Sequence, residues 1–273
     1  MNNDQELKRI QIEMLCEFIK ICENNNITYF LLGGSCLGAI RHKGYIPWDD
    51  DIDIGIPRHD YDRFLQNAQK QLPENIFLQT FETDKNYTQN YAKLRRSDTT
   101  FIETLSKNLD INHGIYMDIF PLDGASKSNL KTSLDFLRIK LLTYKIYEAY
   151  QIEKKLSIKA VLLNIVNFFY APTIRKAIEK KDKIIRRYPY ESSSIIANWC
   201  GAWGKKEVMP KSIFADGTTS SFENIEVVIP KEYDQYLTRM YGDYMELPPE
   251  EKRVSHHDNE VIDTTKSYKE YIK

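Results

Sequence analysis

The sequence predicts an α+β protein with a mixed β-sheet and a helical insertion. Strand-like runs alternate with helical segments over residues 1–126, residues 127–210 have long helical periodicity, and residues 211–273 contain a further strand and helix. The 42% hydrophobic content of the 273 residues is enough to bury a sizeable core. We therefore predict a core at 1–126, a basic helical subdomain at 127–210, and a C-terminal segment at 211–273 that returns to the core.

Side-chain periodicity predicts the elements in order. An amphipathic helix is expected over 4–25, where Leu7, Ile10 and Met14 recur at helical spacing. The core is then expected to contain strands at 27–32, 51–56, 75–82, 91–96 and 115–120, and helices at 35–42 and 58–71. Residues 99–103 are expected to form a hairpin with the strand at 91–96. One strand at 222–229 and a helix at 230–241 are expected near the C-terminus.

The segment from Leu31 to Arg58 has the most informative pattern. Asp51 and Asp53 flank Ile52 in a strand-like run, so both carboxylates are expected on one face, roughly 6–7 Å apart. Asp49 has the same parity and joins them if the strand begins early. Hard divalent cations prefer oxygen ligands and recruit substrate phosphates to complete their shells. The pattern therefore predicts a Mg²⁺ or Mn²⁺ site.

A glycine-rich turn precedes these acids. Gly33 and Gly34 let the backbone approach an anion closely, and the helix start that follows offers unpaired N–H groups. Ser35 is a candidate helix N-cap or a direct phosphate donor. A phosphate-binding turn followed by an Asp-x-Asp strand is the pattern of the nucleotidyltransferase superfamily, which predicts that Gly34 and Ser35 contact a substrate phosphate.

Asp118 lies between Met117 and Ile119 in a strand-like run. A carboxylate in such a core-like strand is costly unless it is paired or binds a metal. Two readings are open at this point. Asp118 is either a structural partner of Lys93 or Arg95, or the third acid of the predicted site.

Composition and charge narrow the class of protein. The net charge of −1 gives no electrostatic reason to expect a nucleic acid as partner. Cys16, Cys22, Cys36 and Cys200 show no CxxC spacing and are expected to be free thiols in a reducing cytoplasm. The N-terminus has neither the charged nor the apolar region of a signal peptide, so we expect a cytoplasmic location.

The helical stretch is strongly basic. Residues 154–190 contain ten Lys and Arg against two acids, Glu179 and Asp182. Its apolar part, 160–172, is too short and too interrupted by Asn to span a bilayer. The basic face is therefore either a solvated surface or a surface that contacts a membrane or polyanion, and the second alternative would place the protein at the inner membrane face.

Four blocks of sequence carry a family resemblance: GGSCLGAIRHKGYIPWDDDIDIGIPR, KLRRSDT, GIYMDIFPLDG and YGDYMELPPEEKRVSHH. Together they resemble the LicD family of bacterial phosphocholine transferases, whose domain is similar to that of fukutin and fukutin-related protein. The match spans nearly the whole chain and is least diagnostic in the helical stretch at 127–210.

The resemblance implies a nucleotidyltransferase-like core that transfers a phosphorylated head group from a CDP-alcohol donor. For bacterial members this is usually phosphocholine from CDP-choline, placed on a hydroxyl of a cell-surface glycan such as teichoic acid or lipooligosaccharide. A lipid-linked acceptor would agree with a basic helical stretch that contacts a membrane. The metal-binding acids of the family map onto Asp51 and Asp53, with Asp118 as the third. The match of the C-terminal block implies that His256 and His257 lie near the site.

The donor suggests further substrate-binding residues. Basic side chains suited to clamp phosphates are Arg41, Lys93, Arg95 and Arg96, although strand alternation places Arg96 on the opposite face from Lys93 and Arg95. A choline ammonium needs aromatic rings rather than a charge partner. Aromatic residues near the motifs that could form such a box are Tyr45, Trp48, Tyr87, Tyr91 and Tyr116.

Three functions remain in competition. The first is the CDP-alcohol phosphotransferase, with Asp118 as metal ligand or as proton acceptor. The second is a nucleotidyltransferase that moves a nucleoside monophosphate from a nucleoside triphosphate to a small molecule. The third is an inactive nucleotide- or glycan-binding module, which the cost of clustered acids argues against.

Overall fold

The computed structural model describes residues 3–151, 158–255 and 258–272. The helices in this part of the chain are α1 (Asn3–Asn25), α2 (Gly33–Arg41), α3 (Arg58–Gln71), α4 (Asn129–Ile146), α5 (Ile158–Tyr170), α6 (Ile174–Ile185) and α7 (Tyr233–Tyr241). The strands are β1 (Phe30–Leu31), β2 (Asp53–Pro57), β3 (Ile76–Gln79), β4 (Ala92–Arg96), β5 (Thr100–Glu103), β6 (Ile115–Gly124), β7 (Ile195–Ala197), β8 (Val208–Pro210), β9 (Thr218–Phe222), β10 (Ile225–Ile229) and β11 (Asn259–Asp263).

The central sheet is mixed. Its strand order is β1-β2-β6-β4-β3, and β7 and β8 extend it from the far end of β6. β2 and β6 are parallel, whereas the other neighbouring strands are antiparallel. The predicted α+β fold with a mixed sheet is therefore confirmed.

Strand β6 is the centre of this sheet and is buried along its whole length. Burial is favourable for its apolar residues, but it is costly for its two acids, Asp118 and Asp123, unless their charges are compensated. Asp123, at its far end, accepts two hydrogen bonds from Arg58 of α3, at 2.8 and 2.6 Å. The ion pair ties α3 to the sheet, and the other acid, Asp118, faces the candidate site.

Helix α1 packs along the sheet and reaches the site through one polar side chain. Gln11 is fully buried. Its amide donates to the carbonyl oxygens of Asp50 and Tyr116, at 2.8 and 3.0 Å, and its oxygen accepts from the Tyr45 hydroxyl. Because an unpaired buried amide is costly, this network fixes the approach of the acidic segment to β6.

Two predicted strand arrangements are wrong. β5 pairs with β11 rather than with β4, because β4 already has β3 on one side and β6 on the other. The single strand predicted at 222–229 is a hairpin of β9 and β10. Glu223 and Asn224 form its turn with φ values of 48° and 65°, a conformation that Asn tolerates better than most residues.

The helical segment forms a second apolar cluster beside the main core. Side chains of α4 and α6 pack there with Ala197, the last residue of β7, and with Trp199 just after it. Within the described residues, no helix is long and apolar enough to cross a membrane. All four cysteines are free, as expected from their spacing.

Candidate active site

A cleft of about 910 Å³ lies between the sheet and the helical segment. Its floor includes Asp51, Asp53 and Asp118, the three acids predicted from the sequence. The other side is formed by α4 and by the loop 198–204, which follows β7. The cleft therefore brings the acidic strand residues and the helical segment to one place.

Strand register explains why two of the acids meet. Asp53 is the first residue of β2 and lies directly beside Asp118 of the parallel strand β6. Asp51 precedes the strand instead of lying within it, so the predicted start of this strand is two residues too early. Asp51 still lines the cleft, because the segment before β2 runs along the same floor.

The acids raise one another's proton affinity. Burial raises the pKa of Asp53 well above its usual value, and the charges of Asp51 and Asp118 raise it further. Burial also raises the pKa of Asp118, although the Lys93 ammonium opposes that shift. A site with mutually repelling carboxylates is one that a cation would stabilise.

Asp118 has the ion pair that the sequence left open as a structural alternative. The Lys93 ammonium lies 3.0 Å from Oδ1 of Asp118, opposite it in the β4–β6 ladder, and 3.4 Å from the centre of the Tyr116 ring. Oδ1 is nevertheless buried without a hydrogen bond of acceptable geometry among the described residues. Asp118 is thus both paired and exposed to the cleft, so the two readings are compatible.

The donor set fits a divalent cation on these observations. The carboxylates of Asp51, Asp53 and Asp118 are hard oxygen ligands of the kind that Mg²⁺ and Mn²⁺ prefer, and the charges of Asp51 and Asp118 already raise the pKa of Asp53. Asp49, Asp50 and Asp51 also place one carboxylate oxygen each within 4.8 Å of one another. Asp50 accepts a hydrogen bond from Ser255 at 2.8 Å, so the C-terminal segment reaches this acidic run.

The Gly-Gly-Ser turn is organised around the acids. Gly33 has a φ of +49°, and a Cβ built on it would lie 3.0 Å from Oδ2 of Asp53. A Cβ on Gly34 would lie 2.3 Å from Oδ2 of Asp49, so a side chain there would force the Asp49 carboxylate to move. Ser35 is not the N-cap of α2, because Leu32 occupies that position and the Ser35 hydroxyl accepts from the Asp53 N–H at 2.9 Å. Gly34 lines the cleft and stays a predicted phosphate contact.

The cleft lining does not include the other predicted substrate contacts among the described residues, which are Arg41, Trp48, Lys93, Arg95 and Arg96. Arg41 donates to the carbonyl oxygens of Tyr244 and Glu246 and so holds the C-terminal segment. Arg95 is fully buried and bonds Gln79, Gly114 and Glu103. Trp48 packs edge-on against His42, with the Arg253 guanidinium 5.8 Å from its ring centre. His256 and His257 lie outside the described residues.

The aromatic rings at the cleft differ from those predicted. Of the five candidates, Tyr91 lines it, whereas Tyr45 and Tyr116 are buried in the core and Tyr87 is buried beside Tyr91. Phe120 of β6 also lines the cleft, and the helical side and α7 supply Phe136, Tyr147, Trp199, Trp203, Tyr236 and Tyr241. Trp203 and Tyr241 meet at 79° with 5.2 Å between ring centres and form a corner.

This corner lies close to the acids. The Tyr241 hydroxyl is 3.7 Å from the point where a Gly33 Cβ would stand, and Oδ2 of Asp53 is 3.0 Å from the same point. Trp203 is 45% exposed, and the Lys206 ammonium already lies 5.1 Å from its ring centre. Sequence reasoning missed both rings because they are distant from the acidic motif along the chain.

Glu207 is a further group that the sequence did not indicate. It lines the cleft, is buried, and accepts from the Trp203 N–H at 2.9 Å. Burial raises its pKa to about 7, while hydrogen bonds from Trp203 and Asn198 act in the opposite direction. The Glu207 carboxylate also leaves no room for a side chain at position 201 without moving, because a Cβ on Gly201 would lie 2.0 Å from Oε1 of Glu207.

Fold and site together agree with one class of protein. The family model described as LicD/FKTN/FKRP, nucleotidyltransferase domain matches residues 26–137, a range that includes all three acids. A curated relative, the lipopolysaccharide cholinephosphotransferase LicD of Haemophilus influenzae, is 30% identical over 264 residues, which cover 94% of this chain and 97% of the relative. The chain belongs to the LicD family.

Two shorter similarities accompany this match. An uncharacterized protein of Rickettsia typhi is 37% identical over 73 residues, or 23% of this chain and 24% of the relative. The human ribitol 5-phosphate transferase FKRP is 50% identical over 38 residues, or 14% of this chain and 8% of the relative. The FKRP match supports the predicted relation to fukutin-related protein.

Proposed function

We propose that this protein is a metal-dependent phosphotransferase that moves phosphocholine from CDP-choline to a hydroxyl of a cell-surface glycan and releases CMP. The observation that carries the proposal is the meeting of Asp51, Asp53 and Asp118 at one cleft in a chain similar to a cholinephosphotransferase along nearly its whole length. The glycan is teichoic acid, lipooligosaccharide or capsule by the same reasoning.

The reaction is a displacement at phosphorus. The acceptor oxygen forms a bond to the phosphorus that carries choline, the bond from that phosphorus to the bridging oxygen of CDP breaks, and CMP leaves with the electron pair. Such reactions depend on positioning and on charge stabilisation more than on covalent chemistry. A bound Mg²⁺ or Mn²⁺, held by Asp51, Asp53 and Asp118, would neutralise phosphate charge.

The acceptor hydroxyl must lose its proton in this reaction. Asp118 and Glu207 both line the cleft, and both have pKa values raised by burial. A proton acceptor works best when its pKa lies near the working pH, which favours Glu207 at about 7. Asp118 is then left to its ion pair with Lys93 and to the metal.

The corner of Trp203 and Tyr241 is the proposed site of the choline ammonium. Two rings at right angles offer two walls to a quaternary ammonium, which binds aromatic faces without needing a counter-charge. The Lys206 ammonium lies 5.1 Å from the ring centre of Trp203, so the choline ammonium would share this ring with Lys206 or displace it. This corner replaces the aromatic box predicted from the sequence.

The acceptor is proposed to be lipid-linked, with the protein at the inner membrane face. Exposed apolar side chains on two neighbouring helices support this: Leu130 of α4 is 71% exposed, and Phe168 and Phe169 of α5 are 68% and 80% exposed. Basic side chains accompany them and favour an anionic surface. Phe168→Ser with Phe169→Ser should reduce sedimentation with anionic vesicles; equal sedimentation of the double variant would contradict this placement.

The direct test measures CMP release from CDP-choline with Mg²⁺ and a teichoic-acid or lipooligosaccharide acceptor. Release that requires both Mg²⁺ and the acceptor, and that disappears in Asp53→Ala, is the expected result. Turnover of CDP-ribitol or CDP-glycerol with inert CDP-choline would show that the head group is wrong while the reaction class is right. No CMP from any CDP-alcohol would overturn the proposal.

A nucleotidyltransferase remains the second candidate, because the matching family model is described by that domain name. It would release pyrophosphate from a nucleoside triphosphate instead of CMP from a CDP-alcohol. Assaying both products with the same enzyme preparation separates the two reactions.

A further inference from the structure

Lys181 is a cation on the apolar face of an amphipathic helix. Helix α6 buries Ala177, Ile178, Ile184 and Ile185, and Lys181 occupies the same face. Only 6% of its surface is exposed. Lysine is almost never buried to this extent unless it is paired, because a charge loses its hydration when it leaves water.

Lys181 has no such partner among the described residues. No carboxylate there lies within ion-pair distance of its ammonium, whereas Arg175 and Arg186 of the same segment pair with Glu82 and Asp62. Burial lowers the pKa of Lys181, and the neighbouring Cys200 thiol is the group that opposes this shift. The cost of burying this cation is thus left uncompensated by protein anions in the described part of the chain.

The location of Lys181 indicates what would compensate it. It lines the same cleft as Asp53, Asp118 and Gly34. The cations predicted from the sequence are already occupied: Lys93 pairs with Asp118, and Arg95 pairs with Glu103. Lys181 is therefore a positive charge that faces the substrate cleft without a protein counter-ion in the described residues.

We infer that Lys181 binds a phosphate oxygen of the nucleoside diphosphate part of the donor. The inference rests on the proposed function for the class of donor, and it adds a ligand from the helical segment to a site otherwise built on the sheet. A lysine ammonium suits this role because it is a compact point charge with three donors. When CMP leaves, its phosphate gains negative charge, which the ammonium stabilises at the moment of transfer.

The experiment compares Lys181→Met with Lys183→Met, a matched control for an exposed lysine on the same helix. Affinities for CDP, in the presence of Mg²⁺, and for cytidine are measured by calorimetry or competition. Lys181→Met should weaken CDP binding about 10- to 100-fold, the range for a hydrogen bond between charged groups, and leave cytidine binding unchanged. Lys183→Met should match the wild type for both.

The melting temperature of the ligand-free protein separates binding from structure. Removing a buried unpaired charge should raise it in Lys181→Met, since methionine fills a similar volume without the desolvation cost. A lower melting temperature together with equally weakened CDP and cytidine binding would show a structural role and overturn the inference. Unchanged CDP affinity in Lys181→Met would overturn it as well.

The same variants distinguish this inference from the proposed function. If the wild type releases CMP from CDP-choline while Lys181→Met has the same KM, the function stands and the inference fails. If CDP binding depends on Lys181 but no CDP-alcohol is turned over, the diphosphate site stands and the proposed reaction fails.

Discussion

The floor and the helical wall of the cleft are built in opposite ways. The floor consists of carboxylates on adjacent strands, where Asp53 and Asp118 are held side by side by the parallel register of β2 and β6. The wall consists of separated single residues on α4, α6, the loop 198–204 and the short turn that follows this loop, among them Lys181, Trp203 and Glu207. Sheet register fixes the spacing of the floor within a short motif, whereas the wall depends on how helices pack onto the sheet.

This contrast suggests a division of labour. The floor carries the negative charge that suits a metal ion, and the wall carries the buried Lys181, the exposed ring of Trp203 and the carboxylate of Glu207, whose pKa is about 7. If the contrast is functional, changes in the floor should abolish the reaction, while changes in the wall should alter affinity, selectivity or pH dependence.

The largest expected effect comes from the floor. Asp53→Asn should lower CMP release at least about 10³-fold, since it removes a charge at the reacting phosphate. The same change should raise the melting temperature in EDTA, because the buried Asp53 carboxylate is repelled by Asp51 and Asp118. Activity assays and thermal melts of one preparation check both parts. A lower melting temperature would make Asp53 a structural residue and break the contrast.

Glu207→Gln should alter the pH dependence of stability. The folded pKa of Glu207, about 7, lies above its ordinary value of 4.5, so the folded state binds the proton more tightly than the unfolded state. The stabilisation is fully present below pH 4.5 and is lost as the pH rises through 7. Glu207→Gln should therefore remove a pH-dependent contribution of up to about 3 kcal/mol from the free energy of unfolding, at 1.36 kcal/mol per pKa unit.

Urea unfolding of wild type and Glu207→Gln across pH 4 to 8 measures the effect. Parallel stability curves for the two proteins would exclude Glu207 as a group that titrates in this range. A loss of the acidic limb of the activity profile, where activity falls as the pH drops below about 7, without loss of folding would instead support its role as proton acceptor.

The smallest effect is expected at the exposed ring. Trp203→Leu should weaken CDP-choline binding about tenfold and leave CMP binding unchanged, because a cation–π contact contributes about 1 to 2 kcal/mol. Tyr271→Leu is the matched control, since Tyr271 has a similar exposure of 40% but is remote from the cleft lining. Equal loss of CDP-choline and CMP affinity in Trp203→Leu would assign the ring to the nucleotide instead of choline.

Much of the floor could be predicted from the sequence. The Asp-x-Asp run, the glycine turn and the acid between Met117 and Ile119 each have a local signal, and the cleft contains all of them. The predicted hairpin at 99–103 failed because local pattern does not reveal which edges of a strand are free. Of the two alternatives for Ser35, the N-cap is wrong, because Leu32 is the N-cap and the Ser35 hydroxyl accepts a hydrogen bond from the Asp53 N–H. The phosphate contact stays a prediction.

The sequence by itself determined the order of the elements from α1 to β6 and the acidic motif, because alternation along a strand and close backbone approach at glycine are local properties. Its sequence blocks also indicated the family. Only the tertiary structure decided which cations are available to a substrate. The sequence leaves open whether Lys93 and Arg95 bind phosphate or pair with an acid, and in the structure they pair with Asp118 and Glu103. Lys181 lies in a basic stretch of the sequence, yet in the structure it is buried and lines the cleft. Charge pairing depends on neighbours in space, and those neighbours are distant along the chain.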